Sequence, residues 1–128
     1  MSKKILISSS IKFHDLIKST IQQLEILGHT PLFPNLEYDS ENKNKVLTPE
    51  DIKQLASEHY DAMKDADAVY FILPEGYMGT SCKVELGYAL ALGKTIYFSE
   101  PTKSIDLDCY PKKFIHLDNL SDFKEEFK

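Results

Sequence analysis

Ala68-Val69-Tyr70-Phe71-Ile72-Leu73 carries no polar group other than one tyrosine hydroxyl. Successive side chains of a strand point to opposite faces, so a run this apolar must be covered on both sides. That predicts a central strand of a parallel sheet. Pro74-Glu75-Gly76-Tyr77-Met78-Gly79-Thr80-Ser81 follows as a glycine-containing loop, then a helical stretch from Lys83 to Leu92 that stops at Gly93. Thr95-Ile96-Tyr97-Phe98 supplies the next strand. Strand, helix and strand at this spacing form a βαβ unit, whose two strands run parallel.

The same alternation extends in both directions. Toward the C-terminus, Phe114-Ile115-His116-Leu117 is expected as the last strand, and residues 119–127 as a closing amphipathic helix. Toward the N-terminus, Ile5–Ser8 reads as the first strand, ending in the hydroxyl-rich turn Ser8-Ser9-Ser10. Leu16, Ile17, Thr20, Ile21, Leu24 and Leu27 then recur with helical spacing, and Gly28 is a natural stop. His29–Pro34 gives a second short strand, and the polar residues 35–47 an exposed loop beside the site. Thr48 as N-cap, Pro49 in the first turn and the acids Glu50 and Asp51 open a helix that runs to about Lys64.

Five strands alternating with helices predict an α/β domain over residues 1–128. Its sheet is expected to be a doubly wound, flavodoxin- or Rossmann-like parallel sheet of order 2-1-3-4-5, with helices on both faces. Sites in such sheets lie beyond the carboxyl ends of the strands, where the winding reverses. That crevice gathers Ser8–Lys12 after the first strand and Pro74–Glu85 after the third.

Composition narrows the classes. The net charge is −5 and no basic stripe appears, which argues against a nucleic-acid polymer as partner. No apolar run approaches a membrane span, and the start of the chain reads as a strand, so a soluble, cytoplasmic protein is expected. All 15 basic residues are lysine. A bound phosphate must then be held by backbone N–H groups, hydroxyls and lysine. Cys82 and Cys109 lack metal or redox spacing and read as reduced thiols. His14, His29 and His116 are scattered, no metal site is expected, and Asp15 reads as a helix cap. No cofactor is expected.

Within the third-strand loop, Gly76 and Gly79 permit close backbone approach, and the helix that follows offers unpaired N–H groups to an anion. Ser81 and Glu85, four residues apart, share one face of that helix. A serine there is commonly a cap and a glutamate simply complements the helix dipole. Against that, Val84, Leu86, Tyr88, Ala89, Leu90, Ala91 and Leu92 make this helix apolar nearly all round, so it is expected to be buried against the sheet and a second copy of the chain, as a homodimer or higher oligomer. A carboxylate in such a helix is costly unless paired or used.

The stretch from Gly76 to Lys94, GYMGTSCKVELGYALALGK, resembles the signature of the nucleoside 2-deoxyribosyltransferase superfamily, which includes the 2′-deoxynucleoside 5′-phosphate N-hydrolases. Asp65-Ala66-Asp67-Ala68-Val69 looks like its entry to the third strand, and Ser9-Ser10-Ile11-Lys12 is similar to its Gly-Ser-Ile-Arg turn. The resemblance implies cleavage of the N-glycosidic bond of a nucleoside or nucleotide, with Glu85 as nucleophile. It implies that Ser9, Ser10, Lys12, Gly76, Gly79 and Ser81 surround the substrate, Lys12 standing for a phosphate-binding arginine. At Gly79 the nucleoside-specific relatives carry a base-binding aspartate, so its absence favours a nucleotide.

Two departures stand out. His59 occupies the place of a second active-site aspartate, with Asp61 nearby on the wrong side of the helix, and Leu6 replaces a first-strand tyrosine. His59 is read as a histidine on the helix surface, with protonation of the leaving base as its alternative role. Tyr77 is either an exposed loop aromatic or a stacking partner for base or sugar. Two rival readings use the same scaffold: a nucleotide-binding or sensing module without catalysis, and a flavin-binding electron carrier.

Overall fold

A computed structural model describes residues 2–34, 36 and 47–128. The loop expected at 35–47 thus lies, except for Leu36 and Leu47, outside the described residues. The strands β1 (Lys4–Ser8), β2 (Thr30–Leu32), β3 (Ala68–Phe71), β4 (Thr95–Phe98) and β5 (Lys113–Phe114) form one parallel sheet of order β2-β1-β3-β4-β5. This is the expected order. Leu6 stands opposite Leu32 on one side and Val69 on the other, and Ser8 opposite Phe71.

Alternation along the strands builds two core layers. Leu6, Val69, Phe71, Ile96 and Phe98 face one side. There they meet Met63 and Ala66 from the region of helix α2 (Pro49–Asp65) and Cys82, Leu86 and Ala89 of helix α3 (Thr80–Ala91). Ile5, Ile7, Ala68, Tyr70 and Tyr97 face the other, against Ile17 and Leu24 of α1 (His14–Ile26) and against Leu120 and Phe123. Each large side chain taken fully out of water adds about 1.5–3 kcal/mol. The apolar stretch at 68–73 is therefore apolar throughout because both layers draw on it.

The helix ends follow the sequence. The Thr48 hydroxyl accepts from Asp51 N at 3.2 Å and the Asp51 carboxylate accepts from Thr48 N at 3.1 Å, a reciprocal capping box. Gly28 ends α1 at φ +91°, where a side chain would be strained. At the far end of α2, Lys94 Nζ donates to the carbonyls of Lys64 and Ala66, each at 2.9 Å, and so ties the foot of α2 to the foot of α3.

Two expectations need correction. The last strand covers Lys113–Phe114 rather than 114–117, although Ile115 N still donates to Phe98 O. The closing helix, beyond the short α4 (Ile105–Asp108) and β5, breaks into a 3₁₀ stretch, Leu117–Asp122, and a short helix, α5, Phe123–Glu126. Its polar opening explains the break: His116 Nδ1 accepts from Asp118 N, and His116 O from Asn119 N. On α3 the sheet side is covered, while Val84 on the opposite side is 55 % exposed in the single chain. Among the described residues no helix is long and apolar enough to cross a membrane.

At the carboxyl edge the strands continue by single bonds. Ile72 N donates to Ser8 O, Ser99 N to Phe71 O, and Leu73 N to the buried Ser99 hydroxyl. Gly76 follows at φ +79°, where a Cβ would stand 2.6 Å from Pro101 O. Only glycine lets the third-strand loop lie on the fourth-strand loop in this way.

Candidate active site

Glu85 and His59 face each other across the two helices on one side of the sheet. Glu85 lies on the second turn of α3, in the stripe Cys82–Glu85–Leu86–Ala89 that packs inward. His59 lies on α2, one turn before the buried Met63. Glu85 Oε1 and His59 Nδ1 are 3.5 Å apart, with 12 % and 11 % of the two side chains exposed. His59 is therefore buried, not on the helix surface as expected. The α2 pattern hides this because its inward stripe is narrow and mostly small or polar. Asp61 points to solvent and pairs with Lys64.

Burial governs the chemistry of the pair. It pushes Glu85 up to about 7 and His59 down to about 4. Desolvation disfavours each charged form, and 3.5 Å is too long for a strong hydrogen bond to offset it. The order of the two groups is thereby inverted: between these values the pair holds one proton, mostly on the carboxylate. The ring of Phe33, just after β2, meets the His59 ring edge-on at 4.9 Å. Tyr60 and Tyr88 stack at 4.5 Å beside Glu85, and burial, Glu85 and Tyr88 all raise the Tyr60 phenol.

Ser8 completes this cluster. It ends β1, is fully buried, and lies near enough to act on both Glu85 and the Cys82 thiol. Ser8 Oγ, His59 Nδ1 and Glu85 Oε1 are all buried without a fully formed hydrogen bond among the described residues. Unpaired buried polar atoms are rare and call for an explanation. Three together at the carboxyl edge of a doubly wound sheet mark a candidate site.

A second cluster lines a cleft of about 610 Å³ formed by Lys12, Phe13, Pro74, Glu75, Gly76 and Tyr77. Lys12 Nζ lies 3.6 Å from the centre of the Tyr77 ring, and Phe13 meets the same ring edge-on at 6.0 Å. Tyr77 is thus half exposed, with a lysine on its face. Glu75 adopts φ +56°, an uncommon conformation for a residue with a side chain. Gly79 is the N-cap of α3 and brings no side-chain cap, while Lys83 N donates to its carbonyl. The first N–H groups of α3 therefore point outward beside an exposed Ser81.

The β1 turn lies between the clusters. Ser9 Oγ donates to Ile72 O at 2.8 Å, so its proton secures β1 to β3 while its lone pairs remain. Ser10 caps the following 3₁₀ turn without a side-chain hydrogen bond. Asp15 gives no side-chain cap either; its carboxylate is exposed beside His14. Sequence reasoning singled out Glu85, His59, Lys12 and Tyr77, but not Ser8 as a separate group, nor Phe33, Tyr60 and Tyr88.

Residues 9–120 match the model of the nucleoside 2-deoxyribosyltransferase family. The chain belongs to that family, whose general activity is deoxyribosyl transfer or cleavage at the N-glycosidic bond of nucleosides. Among solved structures it is similar to a 2-deoxyribosyltransferase from Bacillus psychrosaccharolyticus, at 22 % identity and a TM-score of 0.70, over 93 % of this chain and 90 % of that one. It is also similar to a CMP N-glycosidase from Clostridium botulinum, at 17 % identity and a TM-score of 0.53, over 98 % and 100 % of the two chains. At these identities the two structures speak for the fold. A comparison with curated proteins finds none that matches.

Proposed function

We propose that this chain cleaves the N-glycosidic bond of a nucleoside 5′-monophosphate or nucleoside, with Glu85 as nucleophile and His59 as the acid that protonates the departing base. The observation that carries the reading is the buried pair His59–Glu85, 3.5 Å apart at the carboxyl edge of the sheet, with burial raising the carboxyl and lowering the imidazole. Glu85 attacks C1′ through one carboxylate oxygen as the C–N bond breaks, and the bonding pair leaves with the base nitrogen. His59 gives that nitrogen a proton, so a neutral base departs. Water, or a second base, then displaces the sugar from Glu85.

The reactive form is the tautomer with the proton on His59 and the charge on Glu85. Developing positive charge on the sugar favours it, because an ionised carboxylate then gains a partner. Below about 4 both groups carry protons and no nucleophile exists; above about 7 neither does and no acid remains. A bell-shaped profile of kcat/KM with limbs near those values is expected.

The second cleft suits the remainder of the substrate. Lys12, the hydroxyls of Ser10 and Ser81 and the amides at the start of α3 would take a 5′-phosphate, and Tyr77 would cover the sugar or base. The exposed Val84 on α3, with Leu90 and Leu92, supports a homo-oligomer, which sedimentation would test. For catalysis the test is release of free base from a panel of nucleosides and monophosphates, with and without an acceptor base. Glu85→Ala is expected to lower turnover by at least about 10³-fold while the fold survives. Full activity in that variant rules the nucleophile out.

A further inference from the structure

The Ser8 hydroxyl is the polar group at this site that the proposed mechanism leaves without a task. Leu6 and Ser8 are two apart on β1 and so project to the same face, where Leu6 packs with Met63, Cys82 and Leu86. Ser8 has no exposed surface. A side chain placed there for packing alone would be apolar, because a hydroxyl gains nothing in that layer unless it bonds. Glu85 lies one turn beyond Cys82 on α3, which sets the thiol and the carboxylate together over the end of β1.

We propose that Ser8 is a positioning residue for Glu85: when the carboxylate is ionised, the Ser8 hydroxyl turns onto it as a hydrogen-bond donor and holds it in one orientation. The proposal rests on the nucleophile reading above. A hydroxyl hydrogen rotates without displacing its oxygen, so the contact needs no backbone movement. Burial pushes the Cys82 thiol up to about 11, so it keeps its proton at neutral pH. The thiol can then point its S–H at Ser8 Oγ and leave the serine proton for Glu85. The other titratable groups around Glu85 are His59 and Tyr60 from α2, with Glu58 acting on His59, and Tyr88 behind Tyr60 on α3. None of the lysines is paired with Glu85 among the described residues. Ser8 is thus the neutral donor available on the β1 side.

The test follows the Glu85 carboxyl carbon by ¹³C NMR across a pH titration of the whole chain, its resonance assigned by its loss in Glu85→Gln. Ser8→Ala is expected to move the Glu85 midpoint about one pH unit higher, equivalent to about tenfold in its ionisation. Ser8→Cys, which keeps the volume but donates poorly, is expected to move it the same way. In turnover, Ser8→Ala should lower the plateau of kcat/KM about tenfold, raise the alkaline limb by the same pH interval, and meet the wild-type profile above it. A side chain that only packs would not move that limb. A Glu85 midpoint unchanged in either folded variant overturns the proposal, whatever happens to the rate. If the wild-type chain releases no base from any substrate, the catalytic reading falls, while the titration still decides whether Ser8 holds Glu85.

Discussion

Glu85 and Glu126 are almost equally shut from water, at 12 % and 13 % side-chain exposure, yet their carboxyls shift in opposite directions. Glu126 takes the Tyr97 hydroxyl at 3.0 Å, Lys112 at 3.0 Å and Lys113 at 3.8 Å. These contacts, Lys112 first, hold its carboxyl below the ordinary range. Glu85 has a neutral imidazole at 3.5 Å and an undecided serine, and is pushed up to about 7. Glu126 also lies under a thinner layer of protein, near the end of the chain. One carboxylate staples α5 to the sheet, while the other is held where its charge is unwelcome. Partners, more than exposure, decide which use a buried acid serves.

The comparison can be broken most directly through stability. A carboxyl whose folded value is raised contributes stability below its unfolded value, near 4.5, and loses it as pH climbs through about 7. Glu85→Gln removes that loss, so at pH 8 it should be more stable than wild type by about 3 kcal/mol, with the gap closing below pH 4.5. Urea unfolding at pH 4, 6 and 8 measures this, and a gap independent of pH would show that Glu85 ionises freely. Such a gain together with lost turnover is what a site maintained at a cost to stability would show.

Lys12 sharpens the contrast from another side, because it rests on an aromatic ring rather than an acid. It can leave that ring for a phosphate at little cost. Lys12→Gln is therefore expected to raise KM for a monophosphate about tenfold and barely alter that for the nucleoside. An equal change for both substrates would remove its phosphate role. Glu126 gives the smallest effect and the opposite sign. Its depressed value contributes stability above the ordinary range that is lost as pH falls. Glu126→Gln should cost about 0.5–1 kcal/mol near neutral pH and progressively less as pH falls below the ordinary carboxylate range, by thermal unfolding.

The sheet could be read from the chain because strand burial writes itself into composition. Residues 68–73 are apolar on both faces, and Thr48-Pro49-Glu50-Asp51 announces its helix in local chemistry. The β5 end was less legible. There His116, whose ring takes the Asp118 N–H and whose carbonyl takes that of Asn119, competes with the helix that the apolar spacing suggests. At the site, Glu85 stood out as a charge in an apolar helix. His59 did not, since His59 and Met63 are the two buried positions on a largely polar helix and leave only a faint periodic trace. Ser8 was hidden inside a serine run that resembles a turn, and only the strand register shows that its first member belongs to the core.

Lys94 gives the paired helices a further significance. It grips the last carbonyls of α2 from just beyond α3, at the amino edge of the sheet, about one to two turns along each helix from where His59 and Glu85 meet. The two side chains are carried on separate arms, and this ammonium closes the arms at their base. Under the proposed mechanism, the gap across which a proton passes is therefore set partly by a group that never approaches it. Loosening residue 94 would widen that gap and slow the proton without altering a single atom of either side chain.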